Sequence, residues 1–274
     1  MINLDELKAI PDPIERYLAA VAAFRGERLN ASQRVRDILD AQGVTRRSVS
    51  LSLGIDPGGF HRLLTKGFTM PINSFTFLCY SFLSRSAQEI MLGIPAEVPL
   101  PRNLSAVVSA MQDPAKADFK EEICAEIQAF YSQAKANQEI YSPKMTAVES
   151  HDLVRLRILE YANDHYILPS NICGERQHIS IRNATKHYLD EKSNNMSTID
   201  SLLFIALESN IPIDYFICPM YANLCNIRLC DSEPGDIIRD KMILLFVVKY
   251  LQLRPNLQQE FLQIALSKLW QYPD

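Results

Sequence analysis

"GIDPGGFHRLLTKG" (residues 54–67) decides how the chain is read. Gly54 stands where a sharp turn needs a left-handed backbone, which glycine adopts without steric penalty. Ile55 buries itself after the turn. The helix that follows opens with Pro57, Gly58 and Gly59, turns Phe60 and Leu63 to the core and stops at Gly67. The preceding "TRRSVSLSL" (45–53) places Ser48, Val49, Leu51 and Leu53 on a helix of its own. Two short helices therefore meet at one glycine.

Outward from this stretch, almost every segment has helical period. Asp12 is a natural N-cap and Pro13 a first-turn residue for a helix from Pro13 to Arg25, with Ile14, Leu18, Val21 and Phe24 on one face. A second helix is expected from about Ser32 to Gln42, with Val35, Ile38 and Leu39 as its stripe and Gly43 as its stop. Three prolines in "IPAEVPLPRN" (94–103) mark a boundary. A short helix over 104–112 and a long one from Asp113-Pro114 to about Asn137 follow, the latter with Phe119, Ile123, Ile127, Phe130 and Ala134 at helical spacing. A new block runs from about Ser150 to 222. After the turn-rich "LCDSEPGD", helices are expected over about 236–251 and 256–270, separated by Pro255.

The chain also repeats itself. "INSFTFLCYSFLSRSAQEIM" (72–91) aligns with "IDSLLFIALESNIPIDYFIC" (199–218) at a constant offset of 127. Ile72 matches Ile199, Phe77 matches Phe204, Ile90 matches Ile217, and Ala87 is replaced by Asp214. Upstream, "VRDILDAQGV" (35–44) resembles "LRILEYANDH" (156–165). Between the paired segments lie a turn and a short helix carrying basic and polar residues.

This order of elements resembles the lambda-repressor/Cro-like (XRE-type) helix-turn-helix family, in two divergent tandem copies covering about half of the chain. The resemblance implies four or five short helices per copy, the third entering the DNA major groove. In the second copy "LPSNICGERQ" (168–177) would be the second helix, Ser180 would cap the third, "IRNATKHYLDEK" (181–192), and "MSTIDSLLFIALESNIPIDYFI" (196–217) would supply the closing pair. By family position the contacting residues are Thr45, Arg46, Arg47, Gly58, Gly59, His61, Arg62, Thr65 and Lys66 in the first copy. In the second they are Arg182, Asn183, Thr185 and Lys186, with His178 beside them. Arginine suits a guanine edge, asparagine an adenine edge, and lysine a phosphate. Gly58 and Gly59 read nothing through side chains; they leave a helix start suited to backbone–phosphate contact. Arg46, Arg47, Arg62 and Lys66 bring four positive charges over 21 residues against one acid, Asp56. Around the second set, Glu175, Asp190 and Glu191 oppose phosphate. A solvated basic face remains the plain alternative for both sets.

Composition sets the outer limits. The net charge is −4, so DNA binding must rest on a local basic face. Only 9 glycines argues against a sheet-rich fold. No phosphate loop, HExxH or G-x-S-x-G occurs, and His151-Asp152 and Asp164-His165 are helix neighbours that do not face each other, so no catalytic residue is assigned. Cys218, Cys225 and Cys230 fit no common zinc spacing, and His61, His178 and His187 are read as exposed or capping, so neither metal nor cofactor is expected. "INLDELKAIPDP" lacks the pattern of a leader, and "MILLFVVKYLQL" (242–253) is too short to span a bilayer; a cytoplasmic protein without membrane contact is expected. That last run is apolar nearly all round between 242 and 248, so it should be buried, either within the chain or in a dimer.

The reading is an all-α protein with two helix-turn-helix units (1–97 and 149–222), a helical linker (98–148) and extra C-terminal helices (223–274) for packing or oligomerisation. It would be a sequence-specific transcriptional regulator that binds double-stranded DNA, as a homodimer, since reading helices work in pairs; two units in one chain supply such a pair as well. The alternative is an antirepressor-like regulator whose helix-turn-helix units bind another protein.

Overall fold

The computed structural model describes residues 3–67, 69–83, 85–94, 97–98, 100–142, 144–191, 199–217, 228–229 and 240–272. In chain order these form α1 (Leu4–Lys8), α2 (Pro13–Ala41), α3 (Arg46–Leu53), α4 (Pro57–Lys66), α5 (Ile72–Phe77, continued by a π turn, Leu78–Leu83), α6 (Ala87–Leu92), β1 (Glu97–Val98), α7 (Arg102–Gln112), α8 (Ala117–Ala136), α9 (Ala147–Asp164), α10 (Ile179–Leu189), α11 (Ile199–Ser209), α12 (Ile213–Ile217), β2 (Arg228–Leu229), α13 (Lys241–Gln252) and α14 (Pro255–Leu269). The fold is all-α, with β1 and β2 forming one two-residue parallel pairing.

The four sequence segments regroup into two compact units. One combines 1–96 with 144–217; the other combines 97–143 with 218–274. In the second unit α8 packs on α7, α13 and α14. Phe261 is fully buried there, with the rings of Phe130, Phe246 and Tyr250 at 5.8, 5.7 and 6.5 Å. Gln258, also buried, donates to the Tyr250 and Leu253 carbonyls at the α13 end, where the helix leaves carbonyls short of backbone donors. The run expected to be buried all round is buried on one face only: Ile243, Phe246 and Val247 are inside, while Met242 and Leu245 are exposed. Cys218, Cys225 and Cys230, and the "LCDSEPGD" break that follows them, lie outside the described residues.

In the first unit the two helices expected before residue 43 are one, the 29-residue α2. Asp12 caps it, accepting from Ile14 and Glu15. Gly26 lies within it, and Glu27 beside it is buried and accepts from Arg34 at 2.8 Å and Asn30 at 3.1 Å. A Cβ at Gly26 would meet nothing within 4 Å. Gly26→Ala is therefore expected to raise stability by about 0.5–1 kcal/mol, measured as a higher urea midpoint. A lower midpoint would mean that α2 is broken there.

The sequence repeat reappears in burial. Glu27, Ala31, Val35 and Leu39 are buried along α2; Ser150, Val154, Ile158 and Ala162 are buried at the same spacing along α9. Both helices end in the same turn: Val44 N–H bonds the Leu39 carbonyl at 3.0 Å, and Ile167 N–H bonds the Ala162 carbonyl at 2.9 Å. The left-handed position is Gly43 in one and Tyr166 in the other. The first-helix register is thus two residues away from the sequence pairing of 35–44 with 156–165.

Candidate nucleic-acid interface

The turn at Gly54 is built as its sequence demands. Gly54 has φ +70°, its N–H bonds the Leu51 carbonyl at 3.0 Å, and the Ile55 N–H bonds the Ser50 carbonyl at 2.9 Å. The two bonds close α3 and aim α4. Phe60 and Leu64 bury α4's inner face; Leu63, expected inside, is half-buried. Two side chains of α2 that sequence reasoning missed hold the far end of α4. Ser32 Oγ donates to the Leu63 carbonyl at 3.0 Å, and Arg36 Nη1 to the Leu64 carbonyl at 2.7 Å. Lys144 Nζ donates to the Ser52 carbonyl at 2.9 Å, placing a cation at the end of α3. Nothing local in the sequence links these residues to the helices they hold.

On the outer side of α3 and α4 lie Thr45, Arg46, Arg47, Gly58, His61, Arg62, Thr65 and Lys66, with Gly59 half-buried among them. They do not share one role. Thr45 Oγ1 caps α3, accepting from Ser48 N–H at 3.2 Å. Thr65 Oγ1 donates back to the His61 carbonyl at 3.0 Å. Arg46 reaches Asp40 at 3.2 Å in an exposed pair. Arg47, Arg62 and Lys66 have no carboxylate within ion-pair distance among the described residues. Four arginines elsewhere in this unit are held by carboxylates: Arg16 by Glu208, Arg28 by Asp200, Arg34 by Glu27 and Arg157 by Glu160.

The start of α4 is not bare. Asp56 Oδ2 accepts from Gly59 N–H at 2.8 Å, so a carboxylate already occupies the helix end. It also explains Gly58, where a Cβ would stand 3.0 Å from that oxygen. The backbone–phosphate contact expected at Gly58 and Gly59 is thus opposed by a fixed negative charge. Asp56→Asn keeps the cap and removes the charge. If this surface meets DNA, affinity should rise about two- to fivefold at low salt, with the gain shrinking as ionic strength grows. Fluorescence anisotropy checks this; an unchanged affinity would place the helix start away from phosphate.

The second set differs more. No helix forms over 168–177; Pro169–Asn171 makes one 3₁₀ turn. The cause is length: from Val44 to Phe60 is 16 positions, from Ile167 to the corresponding Ile181 only 14. The cap of α10 is His178, whose Nδ1 accepts from Ser180 N–H at 3.2 Å, rather than Ser180 itself. His178 also stacks on Tyr17, ring centroids 4.1 Å apart, so it is not a reading residue. Thr185 is 1 % exposed and is removed from the contact set. It takes the core place that Leu64 holds in α4, with its hydroxyl donating to the Ile181 carbonyl at 3.0 Å. Arg182, Asn183 and Lys186 stay on the outer face, and neither Arg182 nor Lys186 has an ion-pair partner among the described residues. Glu191 is engaged by Arg155 at 2.8 Å. Burial, and then His151 beside it, pushes His187 below the usual histidine range, so α10 ends on a neutral ring at neutral pH.

Two described thiols are buried. Burial pushes Cys173 up to about 12 and Cys79 well above the ordinary thiol range, which keeps both protonated. Among the described residues no helix is long and apolar enough to cross a membrane. No family profile, curated protein or solved structure matches the chain.

Proposed function

We propose that this protein is a sequence-specific DNA-binding transcriptional regulator, with two divergent lambda-repressor-like helix-turn-helix units. The observation that carries the reading is the basic set Arg47, Arg62 and Lys66 on the outer side of α3 and α4, which has no carboxylate partner among the described residues. In a chain of net charge −4, three such cations on one surface call for an outside anion. The rigid hold of Ser32 and Arg36 on α4 gives that set a fixed geometry, which groove reading requires. Arg62 and His61 would read base edges, and Arg47 and Lys66 would meet phosphate.

The test is a duplex-binding titration by anisotropy across ionic strength. Log affinity should fall linearly with log salt. No binding at low salt to any duplex drawn from a random pool would sink the reading.

A second reading, a regulator that binds another protein through the same surface, is favoured by two features. Leu51 is 63 % exposed on α3, and the Asp56 carboxylate caps α4. A partner engaging this surface should lose affinity on Leu51→Ser while any DNA affinity holds.

A further inference from the structure

We propose that one chain presents two unlike reading faces and binds, as a monomer, an asymmetric duplex of two different half-sites. This rests on the DNA reading above and names its target class.

The starting point is how the two copies meet. In the offset-127 alignment, Asn73 of α5 is the counterpart of Asp200 of α11. Asp200 pairs with Arg28 of α2 at 3.0 Å. Asn73 donates at 3.2 Å to the Met145 carbonyl, just before α9, and α5 packs on α9. Since α9 is the counterpart of α2, each copy's fourth helix lies on the other copy's first. The last helices meet directly: α6 packs on α12. There Asp214 accepts from the N–H of Ala87, its own counterpart, at 2.6 Å and from Gln88 N–H at 2.9 Å. Elements that touch their own counterparts lie on an axis that exchanges the copies. That axis is a pseudo-dyad inside one chain.

A dyad that exchanges α2 with α9 also exchanges what each carries. α4 is held on α2, and α10 packs on α9, where His151 Nε2 lies 3.0 Å from the His187 carbonyl. With Phe60 matched to Ile181 and Leu64 to Thr185, the outward residues correspond: His61 with Arg182, Arg62 with Asn183, Thr65 with Lys186. The surface that would join two chains through these closing helices is already occupied within one. A pair of reading helices, which dimeric regulators assemble from two identical subunits, is thus present once per chain and with unlike side chains. Identical half-sites suit identical helices. Here Asn183 suits adenine where its counterpart Arg62 suits guanine, so the two halves of the target differ.

The experiment is selection from a random duplex pool by the full-length protein, followed by the mass of the selected complex from light scattering. One chain per duplex and a motif with two dissimilar halves are expected. Arg62→Ala should relax preference in one half only, and Asn183→Ala in the other only, each weakening the selected site about tenfold. A palindrome bound by two chains, or a site indifferent to Asn183→Ala, would overturn the proposal while leaving DNA binding standing. Enrichment of no sequence would overturn the DNA reading itself.

Discussion

Replacing Asp214 by Ala is expected to cost about 3–5 kcal/mol of folding stability. The side chain is fully buried, and its carboxylate carries three bonds at once. Oδ1 accepts from the Tyr80 hydroxyl at 2.7 Å and from Ala87 N–H at 2.6 Å; Oδ2 accepts from Gln88 N–H at 2.9 Å. Two of those donors are first-turn amides of α6, a helix of six residues with only Ser86 as its own cap. Alanine would leave the buried Tyr80 hydroxyl and Ala87 amide without this acceptor, at about 1–3 kcal/mol each. Tyr80→Phe, which removes one donor to Asp214 and keeps the two amide donors, should cost only about 1 kcal/mol. Urea unfolding separates the two variants. A drop under about 1 kcal/mol for Asp214→Ala would mean that the copies are joined by apolar packing alone.

The largest functional effect is expected from the triple exchange of Arg47, Arg62 and Lys66 to Ala. With Arg47 and Lys66 on phosphates and Arg62 on a base edge, the slope of log affinity against log salt should flatten by about 1.8, at about 0.9 for each phosphate no longer neutralised. Affinity at low salt should fall roughly a hundredfold. Because the three side chains are exposed and lack carboxylate partners among the described residues, stability should stay within about 0.5 kcal/mol per site. Weakened binding with an unchanged salt slope would show that the effect is not electrostatic. Arg182→Ala with Lys186→Ala should flatten the slope less, since of that pair the lysine suits a phosphate and the arginine a guanine edge.

What could be read before the structure was the local chemistry. Gly54, the αL turn, the Phe60 face and the Asp12 and Pro13 helix start are all set by residues within a few positions of one another. What could not be read depended on distant partners or on unequal spacing in a divergent repeat. The helix expected to end at Arg25 and the one expected to begin near Ser32 are one, with Arg34 and Asn30 bonding the buried Glu27 across the gap. Thr185 has the character of a contact residue in isolation, and only the phase of Ile181 and Tyr188 turns it inward. The segment before Ile181 is two positions shorter than its counterpart, and a single 3₁₀ turn replaces the helix. Asp56 was legible as an acid near the basic set, but its place on Gly59 N–H follows from the helix starting at Pro57. Ser32 and Arg36 had no sequence signal beyond facing α4 from the first helix.

The pairing of Arg28 with Asp200 joins residues 172 positions apart. On a ribosome adding 5–20 residues per second, that separation is on the order of ten to thirty seconds of synthesis. The α3–α4 turn is therefore translated well before α11, whose Asp200 and Phe204 contact α2 through Arg28 and Phe24. Nascent chains should be most vulnerable to proteases and most dependent on chaperones in that interval. The fold of this unit should become complete late and abruptly, once α12 delivers Asp214 to the first turn of α6.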